Sequence, residues 1–200
     1  MTATAVRPYR QVARAAATQD TQRRIIAAYR DALTQRWMDE ITLDDVAAAA
    51  GTTRQTVIRM FGGKDGLLAA VAETMKHEIE ARRAIPPGAA PRAVAHVLVR
   101  DYEISGDIVI RILAQEQRNP ALTTLLTVGR RYHRLWVETA FAPALARLSR
   151  SERTRRSTQL VAVTDVYVWK LLRRDFRHSV AEVETLVAGM LEKLLEEKLS

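Results

Sequence analysis

Arg54 and Gln55 stand side by side, and Arg59 follows directly after Ile58. A guanidinium can donate two parallel hydrogen bonds to guanine, and a carboxamide can pair bidentately with adenine. Such groups read a base sequence only when one rigid element presents them together. The intervening residues supply it: Thr56, Val57, Met60 and Phe61 recur at helical spacing and would bury one face, turning Arg54, Gln55, Ile58 and Arg59 outward. Just upstream, Leu43, Val46 and Ala47 mark another short helix, Gly51 suits a tight turn, and Thr52 or Thr53 can cap the helix that carries Arg54. Two short helices joined by a glycine turn are predicted to form a helix-turn-helix, whose second helix enters the major groove.

Other chemistry finds little support. With no cysteine, disulfides, thiol nucleophiles and thiolate metal sites are excluded. His77, His96, His133 and His178 are scattered singly, so no metal is expected. A Gly-rich phosphate loop, a serine elbow and an HExxH pair are all missing. Asp44 and Asp45 are adjacent, so on a helix they diverge and cannot share a substrate. Neither catalysis nor a cofactor is expected.

Several elements must position the reader. From Asp20 a helix is predicted with Ile25, Ile26, Tyr29, Ala32, Leu33 and Trp37 on one face. Residues 1–18 hold Arg7, Arg10 and Arg14 without an acidic partner, and read as a flexible basic arm that either follows the phosphates or is a solvated tail. After Gly62-Gly63, Lys64 opens a helix to about Arg83, with Leu67, Leu68, Val71, Ala72, Met75 and Ile79 on its apolar side. Residues 19–84 thus form a DNA-binding domain. Proline and glycine in 85–91, IPPGAAP, cannot continue a helix and read as a linker.

The remainder, 92–200, reads as helical, with segments Ala90 to about Ile104, Asp107 to Arg118, Ala121 to Leu148, Ser151 to Phe176 and Val180 to Leu199. Pro143 would kink the third, and Arg147 to Arg156 reads as a solvated turn. No strand alternation occurs, so the fold class is all-α. Tyr102, Arg111, Gln115, Tyr132, His133, Trp136 and Phe141 lie among aliphatics and either line a small-molecule pocket or fill the core. Leu160, Thr164, Tyr167, Val168, Leu171 and Leu172 form one wide apolar stripe, and Val183, Leu186, Val187, Met190, Leu191, Leu194 and Leu195 another. Stripes this wide are expected to form a homodimer interface.

The net charge of +8 favours a polyanionic partner. It is not concentrated on the reader, since residues 1–85 carry 13 basic against 10 acidic side chains and 86–200 carry 18 against 13. No apolar run approaches the about 18 residues of a membrane span, so no membrane partner and a cytoplasmic location are expected.

Thr42, Val46-Ala47, Ala50-Gly51, Thr53, Thr56-Val57, Phe61, Lys64 and Leu67 together resemble the tetracycline-repressor (TetR) family of transcriptional regulators. Ile58 replaces a usual tyrosine that touches the DNA backbone, and Met60 replaces a frequent tyrosine or histidine; both substitutions remove polar groups expected to hold phosphates. The set expected to meet DNA is Thr42, Thr53, Arg54, Gln55, Thr56, Ile58, Arg59 and Lys64. The resemblance implies dimerisation through the final two helices, an inducer-binding C-terminal domain and a near-palindromic double-stranded DNA operator. The expected function is a repressor released by a small-molecule effector; the alternative is a ligand-independent architectural protein whose C-terminal domain serves only assembly.

Overall fold

The structure is a computed structural model describing residues 6–196, with the side chains of residues 6–11 and 13 outside that description. It is helical, with no strand among the described residues. The chain divides into two compact units, 1–75 and 76–200.

In the first unit α1 (Val6–Gln35) places Ile25, Tyr29 and Leu33 at successive turns of one face, all buried. A 3-10 turn, Met38–Glu40, leads to α2 (Leu43–Ala49), α3 (Arg54–Phe61) and the start of α4 (Lys64–Arg82). Val46, Ala47, Val57, Leu67, Leu68 and Val71 are buried in this unit.

The second unit holds α5 (Pro91–Leu113), a 3-10 turn at Glu116–Arg118, α6 (Pro120–Ala140), α7 (Ala142–Leu145), α8 (Arg150–Val163), α9 (Val166–Lys170), which runs on as a π turn over Leu171–Asp175, and α10 (Val180–Glu196). Its core unites Leu98, Val99 and Tyr102 of α5, Trp136 and Val137 of α6, Leu160 of α8, Trp169 of α9 and Val187 and Leu191 of α10. None of the described helices is long and apolar enough to cross a membrane.

Several boundaries depart from expectation, each for a local reason. The arm is helical from Val6, well before Asp20. Pro8 falls in the first turn, where its missing N–H costs nothing, and the alanines and arginines beyond it are good helix formers. Arg14 is exposed on this helix; the side chains of Arg7 and Arg10 lie outside the described residues, as does the expected end of the last helix at Leu199.

The break expected between Ile104 and Asp107 does not occur, and α5 runs straight through Gly106. That glycine lies against the Trp169 ring, where a Cβ would come within 2.6 Å of Cη2. It is required by close packing rather than by a turn. The long segment Ala121 to Leu148 divides at Phe141, with Pro143 in the first turn of α7 rather than kinking one helix. Arg150 to Arg156 is not a turn but the start of α8, because Ser149 caps it and Glu152 closes a capping box. This helix stops at Thr164, and Asp165 caps α9 by accepting from Tyr167 N at 2.9 Å.

The compact units part within α4, at Met75 and Lys76, rather than at the expected boundary over 85–91. The first turns of α4 bury Leu67, Leu68 and Val71, while Arg82 at its far end pairs with Asp101 of the second unit. The proline-rich segment separates α4 from α5.

Candidate nucleic-acid interface

Both helices of the turn begin with a side-chain cap. Thr42 Oγ1 accepts from Asp45 N at 3.1 Å, and the Asp45 carboxylate accepts from Thr42 N at 3.0 Å, which satisfies two otherwise orphaned donors of α2. That backbone hydrogen bond, then the Thr42 hydroxyl and Arg36, hold the Asp45 pKa below its ordinary value. Thr53 caps α3 by accepting from Thr56 N at 3.2 Å. Between the helices Gly51 has φ 61, a left-handed conformation strained for other residues. The Arg24 guanidinium of α1 donates to Ala50 O at that turn, tying the first helix to the hinge of the motif.

This frame leaves Thr53, Arg54, Gln55, Ile58 and Arg59 exposed along α3, with Val57 buried and Thr56, Met60 and Phe61 half-buried beneath. Thr42 is exposed at the start of α2. Arg54 is not idle: its guanidinium pairs with Asp44 of α2 at 3.3 Å. Lys64, at the start of α4, is half-buried, and burial lowers its pKa while Asp39 and Asp65 support the charge. The surface therefore offers an exposed helix with cations along it and at the entry to the next helix. A major groove accepts one helix of this size.

The side chains expected to line a pocket in the second unit do not all meet. Arg111 lies on α5 roughly 13 Å beyond Tyr102, at 1.5 Å per residue. Gln115 falls just past the end of that helix, and its Nε2 is turned back to Arg111 O at 2.9 Å. Tyr102, Tyr132, His133 and Trp136 instead surround a residue outside the expected set, Arg83. Its buried guanidinium lies 4.6 Å from the Tyr102 ring centre and 5.5 Å from that of Trp136. Its Nε donates to Asp101 Oδ2 at 2.7 Å, while Arg82 Nε takes Asp101 Oδ1 at 2.6 Å.

Hydrogen-bond roles in this cluster are determined. Arginine can only donate, so His133 Nδ1, 3.3 Å from Arg83, accepts. His133 Nε2 then carries the proton and donates to Thr164 Oγ1 at 3.1 Å, and Thr164 Oγ1 donates to Leu160 O at 2.7 Å. Burial, with the neighbouring Arg83 charge, pushes the His133 pKa down from 6.5 to about 3, so the ring is neutral. The Tyr102 hydroxyl donates to Thr164 O, and burial raises its pKa to about 12. A signal did exist: residue 83 falls one helical turn after Ile79, and residue 101 one turn after Leu98, on stripes otherwise apolar.

The expected dimer stripes also separate. Leu160, Val183 and Val187 point into the protomer's own core and cannot form an outer face. Tyr167, Leu171 and Leu186 stay exposed, and Val168, Met190 and Leu194 half-buried. Leu186, Met190 and Leu194 flank an open groove along α10 that Val163 also lines.

Among the described residues no group of three or more histidine, aspartate or glutamate side chains is placed to hold a metal ion.

Residues 25–71 match the family described as bacterial regulatory proteins, tetR family. No curated protein matches the chain. Solved structures match it along most of its length. A transcriptional regulator from Rhodococcus sp. Rha1 shares 16% identity, covering 88% of this chain and 96% of its own, with a TM-score of 0.69. A putative TetR-family regulator from Mesorhizobium loti shares 20%, covering 89% and 96%, with a TM-score of 0.68. SmeT, solved with triclosan, shares 16%, covering 90% and 99%, with a TM-score of 0.66. At these identities the likeness establishes a common fold, and the family match falls on the segment that forms α2, α3 and the helices bracing them. Over residues 25–71, the segment that carries the two-helix frame, the chain is similar to the tetR family of bacterial regulatory proteins.

Proposed function

We propose that the protein is a homodimeric repressor that binds a near-palindromic operator and leaves it when a small molecule occupies the second unit. The observation that carries this reading is the capped, two-helix frame that turns Arg54, Gln55 and Arg59 of α3 outward together. Thr42, Thr53, Thr56 and Lys64 border that surface and would hold phosphates, which fix register without specifying sequence. Ile58 brings an apolar contact to the groove, suited to a thymine methyl.

The groove along α10 supports a dimer, since Leu186, Met190 and Leu194 are apolar side chains left partly open to water. Two-fold symmetry places the two α3 helices in major grooves about 34–36 Å apart, or a multiple of it. A ligand that favours a dimer with another spacing would release the DNA. Triclosan bound to SmeT supports a small-molecule role for a unit of this fold.

The test is to select fragments from genomic DNA with the full chain and map the protected bases. Two inverted half-sites about 10 base pairs apart or a multiple of it are expected. Protection of a single asymmetric half-site would rule out the two-fold arrangement. Metabolite pools that raise the melting temperature and release the DNA support the inducer, since a ligand specific to the folded state must stabilise it. Release by none of them favours the purely architectural alternative.

A further inference from the structure

Asp101 is shared by two arginines: Arg82, whose Nε lies 2.6 Å from Oδ1 and which also meets Glu78 at 3.5 Å, and Arg83. Arg83, 5% exposed, carries its positive charge into the interior of the unit. A buried charge is costly unless every face of it is matched, and an apolar side chain of similar volume would ordinarily be no worse there. Here every face is matched by groups other than a second carboxylate. Tyr102 and Trp136 present ring faces, Asp101 Oδ2 accepts in the guanidinium plane, and His133 Nδ1 accepts at its edge. The network behind them fixes those acceptors: Thr164 holds both His133 and the Tyr102 hydroxyl, and Ser105 Oγ donates to Asp101. Aromatic faces with one in-plane carboxylate form a receptor for a flat, delocalised cation.

We propose that this cluster is an effector site for a planar cation, of the guanidinium, amidinium or protonated heteroaromatic class, and that Arg83 is its resident occupant. The idea rests on the reading of the protein as a ligand-released regulator, and gives that ligand a chemistry and a place. Arg83 comes directly after the last residue of α4 and precedes the proline-rich segment, so its side chain can leave without unwinding a helix. Its carbonyl accepts from Trp136 Nε1 at 2.8 Å, which keeps the backbone in place while the side chain departs. Half-buried Tyr132 stands at the edge of the cluster and offers the way in. An entering cation would take Asp101 Oδ2 and the two ring faces. Arg83 would then lose its hold on α5, and α4, which begins at Lys64 beside the reader, would lose one of its two arginine anchors.

The test uses the full chain. In Arg83→Ala the site is vacated, and methylguanidinium should raise the melting temperature saturably, beyond the effect of sodium chloride at equal ionic strength. Adding Asp101→Asn to that variant should abolish the gain. Equal responses in the single and double variants would overturn the receptor. Should Arg83→Ala fail to fold, Arg83→Met fills the same volume without charge, and the wild-type measurement carries the test. In wild type, benzamidine should weaken binding to selected DNA roughly tenfold, a usual size for allosteric coupling, while benzoate leaves it unchanged. Rescue of the variant with no release of wild-type DNA by either cation would make Arg83 a fixed anchor and overturn the effector role. Release by neutral or anionic compounds alone would overturn the cation proposal and leave the ligand-released repressor standing.

Discussion

The Arg54 guanidinium lies 3.3 Å from the Asp44 carboxylate, so the proposed base reader is tied to the first helix of its own motif. Both side chains are well exposed, and such a pair contributes under about 1 kcal/mol to stability. Its weight falls on recognition. Asp44 limits the directions Arg54 can take and would set a negative charge near the phosphates of DNA bound at α3. Replacing Arg54 by Ala should cost about 1–3 kcal/mol on selected DNA and relax preference at one base pair. Asp44→Asn should instead tighten binding to all sequences and narrow the gap between selected and scrambled DNA. Titrations of both variants on both DNAs measure this; equal losses on the two DNAs for Arg54→Ala would remove Arg54 from base readout.

Lys64 should behave as an anchor. It opens α4 rather than lying on α3, and a lysine meets phosphate as a point charge. Lys64→Ala is expected to weaken selected and scrambled DNA alike and to reduce the slope of log affinity against log salt by about 0.9, one phosphate contact. A sequence-dependent loss would place Lys64 among the readers.

The helix-turn-helix was legible because its signals are local: Thr42 and Thr53 as caps, Gly51 as the turn, and an apolar spacing that no distant contact had to complete. Gly106 misled for the opposite reason. Beside Ser105 it reads as a breaker, and only Trp169, more than sixty residues on, reveals that the missing side chain makes room for a ring. Ser149 and Glu152 did spell a capping box, but the surrounding arginines are equally those of a solvated turn. Leu160, Val183 and Val187 carry the same periodic mark as Leu186, Met190 and Leu194. Periodicity finds the apolar face of a helix and does not say whether its own protomer or another covers it. Arg83 and Asp101 escaped notice because a charge is usually solvated; only their pairing across nearly twenty residues makes them interior groups.

Gly106→Ala tests the packing at the centre of the second unit. The added methyl would overlap the ring of Trp169, itself buried and held by its Nε1 hydrogen bond to Glu103 at 2.9 Å. Overpacking of this kind costs about 1–3 kcal/mol or more. Ala in place of exposed Gly129, where nothing lies within 4 Å of a new Cβ, should be neutral or stabilising, because alanine favours the helix. Denaturant melts of the two variants should separate them clearly, and a neutral Gly106→Ala would show that α5 and α9 can move apart.

His133 makes stability depend on pH in a direction its environment dictates. Its folded pKa of about 3 lies below the ordinary 6.5, so between those values the unfolded chain takes up a proton that the folded chain refuses. The contribution is fully present above pH 6.5 and is lost progressively as the pH falls toward about 3. By pH 5 the loss should be about 2 kcal/mol. His133→Gln, which can still accept from Arg83 and donate to Thr164, should lose less stability than wild type between pH 7 and pH 5. Parallel pH profiles for the two proteins would mean that His133 is solvated and protonates freely.

The proposed dimer face can be separated from the core it adjoins, because neighbouring positions on α10 look in opposite directions. Val187 is 2% exposed and Leu186 is 40% exposed. An aspartate at 187 would bury an unpaired carboxylate within the protomer and should unfold the second unit. An aspartate at 186 would meet water in the free protomer and should leave its melting curve cooperative and its helix content unchanged. In a dimer built along the groove with Met190 and Leu194, the same aspartate would be buried against its own symmetry mate, two like charges facing each other across an apolar interface. Leu186→Asp is therefore expected to sediment as a folded monomer. Half the DNA contacts then disappear, and affinity for a two-half-site operator should fall to that of non-specific binding. A Leu186→Asp protein that stays folded and dimeric would move the interface away from α10, with exposed Tyr167 and Leu171 the next surface to test.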